Sequence, residues 1–191
     1  MNMTSFLIYC IIATFTPGPT NIVIMSTVQQ YGTKRAIQYT YGATIGFALL
    51  LLLSAILNSV LTTILPKILI VMQIIGSLYM VYLAYLICMK KSSDAGPRQL
   101  ATFWSGLLMQ FLNPKVVLFT LTVIPTFIMP YNNSAAVMMF GIMVITLVGF
   151  AAFMTWVIFG TLFKAFLQKH QRLVNLIMGI CLMYAAFMIW I

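Results

Sequence analysis

Thr16-Pro17-Gly18-Pro19-Thr20-Asn21 interrupts an apolar run that extends over residues 4–28. Proline has no N–H to give a helix, and its ring clashes with the preceding turn. A second run, 102–129, is interrupted by Asn113-Pro114-Lys115, which adds a positive charge to the break. In a bilayer the carbonyls freed by such breaks have no water to turn to. They are tolerated only where protein or a wet cavity receives them. Paired breaks in the two halves of a small membrane chain point to a binding site near mid-depth.

Composition supports the membrane setting. The 191 residues are 63% hydrophobic and 6% charged, where a soluble domain carries about a quarter charged residues. The expected class is an all-α integral membrane protein. The formal charge of +9 would suit a nucleic-acid partner, but the basic residues are scattered between apolar runs instead of forming a stripe. No nucleic-acid partner is expected, and lipid is. Cys10, Cys88 and Cys181 are far apart and lack metal-ligand spacing, so they read as small buried hydrophobes. No metal or cofactor is expected. No charged region precedes the first apolar run, and Pro-Gly-Pro is not a small-residue cleavage site. The first segment is therefore expected to stay as a span.

Crossing a bilayer takes about 20 apolar residues. Six segments qualify, over 4–28, 38–64, 68–89, 102–129, 135–162 and 173–191. Lys34, Arg35, Lys90, Lys91, Arg98, Lys164, Lys169 and Arg172 fall in alternate connections, against Lys67 alone in the others. Positive residues stay on the cytoplasmic side, which predicts a multi-pass protein with both termini outside. The chain reads as one transmembrane domain, 1–191, made of three-helix halves 1–98 and 99–191. An odd number of spans per half turns the second half upside down, the geometry of a 3+3 inverted repeat with broken first and fourth helices. Each break lies about ten residues from the cytoplasmic end of its span, hence roughly 15 Å deep. Gly42 and Gly46 form a small-xxx-small face for close helix contact, and Gly141, Gly149, Ala152 and Gly179 can serve similarly.

Catalytic chemistry has little material. The only acid, Asp94, lies among Lys90, Lys91 and Arg98, and the only histidine, His170, lies beside Lys169 and Arg172. Both read as members of solvated basic loops, and the chain does not read as an enzyme. Lys115 is different. A lysine at mid-membrane costs about 2.5–3.5 kcal/mol, so it should face a polar cavity or a partner. With no carboxylate side chain in the spans to pair with it, its ammonium is the expected receiver of a ligand carboxylate. The other break supplies the complementary pole. The unwound turn at Pro17, Gly18 and Pro19 is expected to expose carbonyls to a ligand ammonium, and the half-helix beginning near Thr20 to present N–H groups to an anion. Thr16, Thr20 and Asn21 add polar side chains on that side. Gln110 and Asn113, next to Pro114, do so on the other.

These residues carry a resemblance. Thr16-Pro17-Gly18-Pro19, followed by Gly32, Gly42 and Gly46, is similar to the amino-terminal signature of the lysine-exporter (LysE) superfamily, in its RhtB branch. Phe111-Leu112-Asn113-Pro114-Lys115, followed by Leu118-Phe119 and Pro125, resembles the second signature. Gly76, Tyr79, Tyr82, Leu83 and Ala84 fit the third span. Within the branch, Phe103-Trp104, Gln110-Phe111, Thr126-Phe127, Pro130, Leu173 to Asn175 and Tyr184-Ala185 are most similar to the cysteine/O-acetylserine exporters. The resemblance implies a bacterial cytoplasmic-membrane exporter of small neutral amino acids, of cysteine/O-acetylserine or homoserine/threonine type, driven by the proton gradient as an antiporter. Many relatives have Asp or Asn directly after Pro-Gly-Pro, where this chain has Thr20 and then Asn21. The residue that would carry a proton is therefore open, with Lys115 as one candidate.

The sequence thus reads as an alternating-access exporter of small zwitterions, able to pair as a homodimer. A passive channel for small polar solutes and a non-transporting scaffold subunit stand as alternatives. A channel would show flux without saturation or exchange, and a scaffold would tolerate Lys115→Met.

Overall fold

The computed structural model describes residues 3–89, 102–131 and 134–188. Among them all regular structure is helical, in the order α1 (Met3–Phe15), α2 (Pro19–Tyr31), α3 (Thr33–Met89), α4 (Phe103–Leu112), α5 (Pro114–Phe127), α6 (Ala135–Leu162), α7 (Lys164–Lys169) and α8 (Gln171–Met188). Asp94, Lys90, Lys91, Arg98 and the boundary between the halves lie outside the described residues.

Local chemistry sets the helix ends. Gly32 closes α2 at φ +87°, a conformation that only glycine adopts freely, and its N–H returns to the Val28 carbonyl. Thr102 and Ser105 form a reciprocal capping box at the start of α4. The Ser134 hydroxyl caps α6 through the Val137 N–H.

Two helical stretches are each long and apolar enough to cross a membrane, Thr33–Leu57 within α3 and Ala135–Leu162. Two bent pairs qualify when joined, α1 with α2 across a 48° bend and α4 with α5 across a 67° bend. Large apolar side chains point outward along the bundle, among them Ile12, Leu147, Leu162, Ile180 and Phe187. Continuous exposure of this kind suits a surface wetted by lipid.

The second and third apolar segments were expected as separate spans, but the helical run Thr33–Met89 does not break between them. It is nevertheless not straight. A Cβ on Gly46 would come within 3.0 Å of the Gln110 side chain, and one on Gly76 within 2.8 Å of the Leu112 carbonyl. Those two targets are neighbours on α4, whereas thirty residues of straight helix would span about 45 Å. α3 therefore doubles back, and its two arms both pack on α4. The contact is backbone to backbone: Cβ atoms on Gly42 and Gly106 would collide with the carbonyls of Phe103 and Tyr39.

Two apolar cores result. One gathers Val28, Tyr39, Met80, Leu83, Val157 and Leu182. The other gathers Phe6, Leu51, Val123, Ile124, Ile142 and Ile145. Where the two breaks meet, Thr20, Asn21, Gln110 and Asn113 are buried together. At one end of the bundle Thr33 and Thr161 share a hydroxyl hydrogen bond of 3.0 Å, and Gln29 Nε2 donates to the Leu167 carbonyl at 3.2 Å. These bonds bring Lys34 and Arg35 to the same end as Lys164 and Lys169. Of the cysteines expected to be buried, Cys10 is, but Cys88 and Cys181 are exposed, with Cys88 Sγ donating to the Asn175 carbonyl at 3.6 Å.

Candidate functional site

Each break is also a helix start. α2 begins with Pro19 after Gly18 as N-cap, and α5 begins with Pro114 after Asn113 as N-cap. Proline suits the first helical position, where an N–H would have no partner and φ is already set. Asn113 Oδ1 accepts from the Lys115 N–H at 3.2 Å. No side chain caps α2, so its first N–H groups remain available at the break.

Around Pro17 and Pro19 the carbonyls of Ala13, Thr14, Phe15 and Thr16 lose their usual donors four residues on. Side chains replace them. The Thr16 hydroxyl shares its proton between Ile12 O at 2.6 Å and Ala13 O at 3.3 Å. Asn21 Nδ2 donates to Thr14 O at 3.1 Å and to Thr16 O at 3.0 Å. Trp156 Nε1, from α6, donates to Phe15 O at 3.2 Å. Lys115 Nζ reaches over from the other break and donates to Thr16 O at 3.0 Å and to Thr16 Oγ1 at 2.8 Å. The carbonyls just before the turn thus do not stand open: in a low-dielectric interior they are too costly to leave unpaired, and the protein pairs them. Two buried acceptors at the breaks stay unpartnered, Asn21 Oδ1 and Gln110 Oε1, and of these residues Asn21 lines the cavity.

A second connection joins the breaks. Thr20 Oγ1 accepts from Asn113 Nδ2 at 2.9 Å and from Gln110 Nε2 at 3.2 Å. Gly18 makes room for the first connection. Its backbone is extended, so the requirement is one of space: a Cβ would lie 3.2 Å from Lys115 Cδ and 3.4 Å from Nζ. A bare backbone lets the lysine stem lie across the turn.

Between the breaks is a small, partly open cavity. Thr14, Thr20, Asn21, Asn113 and Lys115 form a polar wall, and Phe47, Phe119 and Phe153 an apolar one. The starts of α2 and α5 both reach it, adding two positive dipole ends to the lysine charge. An anion would be held at this place and a donor group at Asn21 Oδ1. Among the described residues no group of three His, Cys, Asp or Glu side chains could hold a metal ion.

Of the residues singled out in the sequence, Gly18, Thr20, Asn21, Asn113 and Lys115 line the cavity. Thr16 and Gln110 stand behind them, holding Lys115 and Thr20. Pro17, Pro19 and Pro114 shape the backbone. Sequence reasoning missed Thr14, the three phenylalanines and Trp156. The tryptophan had a signal: an indole N–H within an apolar span needs a partner. The phenylalanines had none beyond hydrophobicity, which any lipid-facing position shares.

A family model described as LysE type translocator matches residues 11–191. The chain belongs to the LysE family. Relatives of this LysE-family chain include the cysteine/O-acetylserine efflux protein of Klebsiella pneumoniae, 28% identical over 96% of this chain and 94% of the relative. Proteins of the same description from Salmonella typhimurium and Escherichia coli are 28% and 26% identical, over 100% and 98% of this chain and 98% and 97% of theirs. No solved structure matches it. As a LysE-family member it is a multi-pass membrane transporter and not an enzyme.

Proposed function

We propose that this LysE-family transporter exports small neutral amino acids, of cysteine/O-acetylserine or homoserine/threonine type, from the cytoplasm across a bacterial inner membrane. The observation that carries the reading is the placement of Lys115. Its ammonium lies on the cavity wall with two bonds to Thr16, and a lysine has three protons to donate. The third, with the uncapped N-terminus of α2, receives the substrate carboxylate. Asn21 Oδ1, a buried acceptor without a partner, receives the substrate ammonium. Asn21 keeps this orientation because its Nδ2 is committed to two carbonyls. Cysteine/O-acetylserine is what the relatives' descriptions print.

The architecture we infer is one domain of six spans, halves 1–98 and 99–191 forming a 3+3 inverted repeat. The two bent pairs and the doubling back of α3 support it. Gathering of Lys34, Arg35, Lys164 and Lys169 at one end supports a cytoplasmic position for that end and outward-facing termini. Rocking of the halves would open the cavity to each side in turn, with protons as the coupling ion. Thr20 stands where many relatives carry Asp or Asn, and Lys115 is one candidate proton carrier.

Counterflow in proteoliposomes tests the proposal. Vesicles loaded with cysteine, O-acetylserine, serine, threonine or homoserine should accumulate labelled substrate with saturation and exchange. Failure of every amino acid to exchange overturns it, and non-saturating flux would favour a channel.

A further inference from the structure

The apolar wall of the cavity is built from three helices. Phe47 comes from the first arm of α3, Phe119 from α5 and Phe153 from α6. Phe47 is central: its ring centroid is 5.9 Å from Phe119, nearly parallel at 24°, and 6.4 Å from Phe153, edge-on at 68°. It is 2% exposed, so its position is set by packing wherever it does not face the cavity.

Against that ring is Gly149 of α6, which is not among the residues lining the cavity. A Cβ built on Gly149 would come within 2.5 Å of Phe47 Cε1 and 2.8 Å of Cδ1. Ordinary carbon contacts sit at about 3.5–4.0 Å, so even one methyl group would drive the ring forward by about 1 Å. Phe153, one turn along α6 from Gly149, and Phe119 confine the ring at its sides. The direction left open is the cavity. Close-packed interiors respond to a single added carbon in this way, because there is no slack to absorb it.

We infer that Gly149 and Phe47 together set how large a substrate side chain the transporter accepts. Phe47 is the specificity-determining surface, and Gly149 is a positioning residue that lets the ring sit back. The inference rests on the proposed function, since it takes the cavity as the place where the amino acid binds. It adds the orientation of the bound molecule: carboxylate and ammonium toward the Lys115 and Asn21 side, side chain toward the phenylalanines. The wall has no charge and no hydrogen-bonding group opposite the side chain. It therefore suits short side chains that are apolar, or soft like a thiol, which gains from contact with aromatic rings.

The test compares the intact transporter with Phe47→Leu, Gly149→Ala and the double variant in proteoliposomes. Labelled wild-type substrate is competed by alanine, serine, cysteine, methionine and leucine. Phe47→Leu should raise competition by methionine and leucine relative to alanine by about tenfold, the scale set by one or two methylenes in an apolar pocket. Gly149→Ala should shift the ratio the other way, toward alanine and serine. The double variant should return toward the wild-type ratio, which a merely destabilising change would not do. Unchanged ratios in both single variants, with wild-type exchange intact, overturn this inference and leave the proposed function standing. Absence of amino-acid exchange by the wild type overturns both. If Gly149→Ala does not yield folded protein, Phe47→Leu decides alone, and an unchanged ratio there overturns the inference.

Discussion

Lys115→Met separates the structural from the functional work of the lysine. Methionine keeps an unbranched stem and removes the ammonium. Two charge-assisted hydrogen bonds to Thr16, at 3.0 and 2.8 Å, disappear. Bonds to charged groups are worth about 1.5–3 kcal/mol each, but the loss is buffered, because the Thr16 carbonyl keeps Asn21 Nδ2 as a donor at 3.0 Å. Against it stands relief of the mid-membrane charge, about 2.5–3.5 kcal/mol. These effects oppose each other on the same scale, so the melting temperature in detergent should change little. Substrate binding has no such compensation. Losing one charge-assisted contact of about 1.5–3 kcal/mol weakens affinity roughly 10- to 150-fold. The assay pairs counterflow KM with substrate-induced thermal stabilisation on matched amounts of folded protein. A KM within about twofold of wild type would refute the assignment of Lys115 to the carboxylate.

Other substitutions probe the remaining parts of the site. Lys115→Arg should raise KM, because the planar guanidinium must fit beside Gly18, where the lysine stem is already close. If its transport still follows an imposed pH gradient, deprotonation of the lysine is not the coupling step. Trp156→Phe strands the Phe15 carbonyl and should cost about 1–3 kcal/mol of stability, seen as a lower melting temperature. An unchanged melting temperature would mean that this bond does not hold the break. Single cysteines at Lys34 and Lys164 should react with an impermeant thiol reagent from one and the same side, and one at Ser134 from the opposite side. Labelling of positions 34 and 164 from different sides would contradict the bundle.

Much of the fold was legible in the chain because membrane burial imposes a coarse demand. A span needs a long apolar stretch, so α6 could be placed at 135–162 directly. Proline acts locally, so the corners before Pro19 and Pro114 were readable too. The Lys67 region was less so. An apolar run with one charge looks like a loop from hydropathy, yet the helical run passes through and doubles back. The site was half legible. Its polar side stood out because Lys115, Asn113 and Asn21 are expensive in lipid, and expense singles residues out. Its aromatic side did not, since Phe47, Phe119 and Phe153 are as welcome against lipid as against a ligand.

The sequence by itself determined that the chain is helical and membrane-embedded, that two helices are broken, and that one break carries the charge. Those follow from transfer free energies and from proline's missing N–H, which act residue by residue. Only the tertiary structure decided how the breaks are completed: Lys115 donating to Thr16, Trp156 to Phe15, Asn113 and Gln110 to Thr20. The partners lie on different helices, some far apart along the chain. Whether such atoms meet depends on how closely the helices pack, and here bare glycine backbones at Gly42, Gly46 and Gly106 allow that closeness.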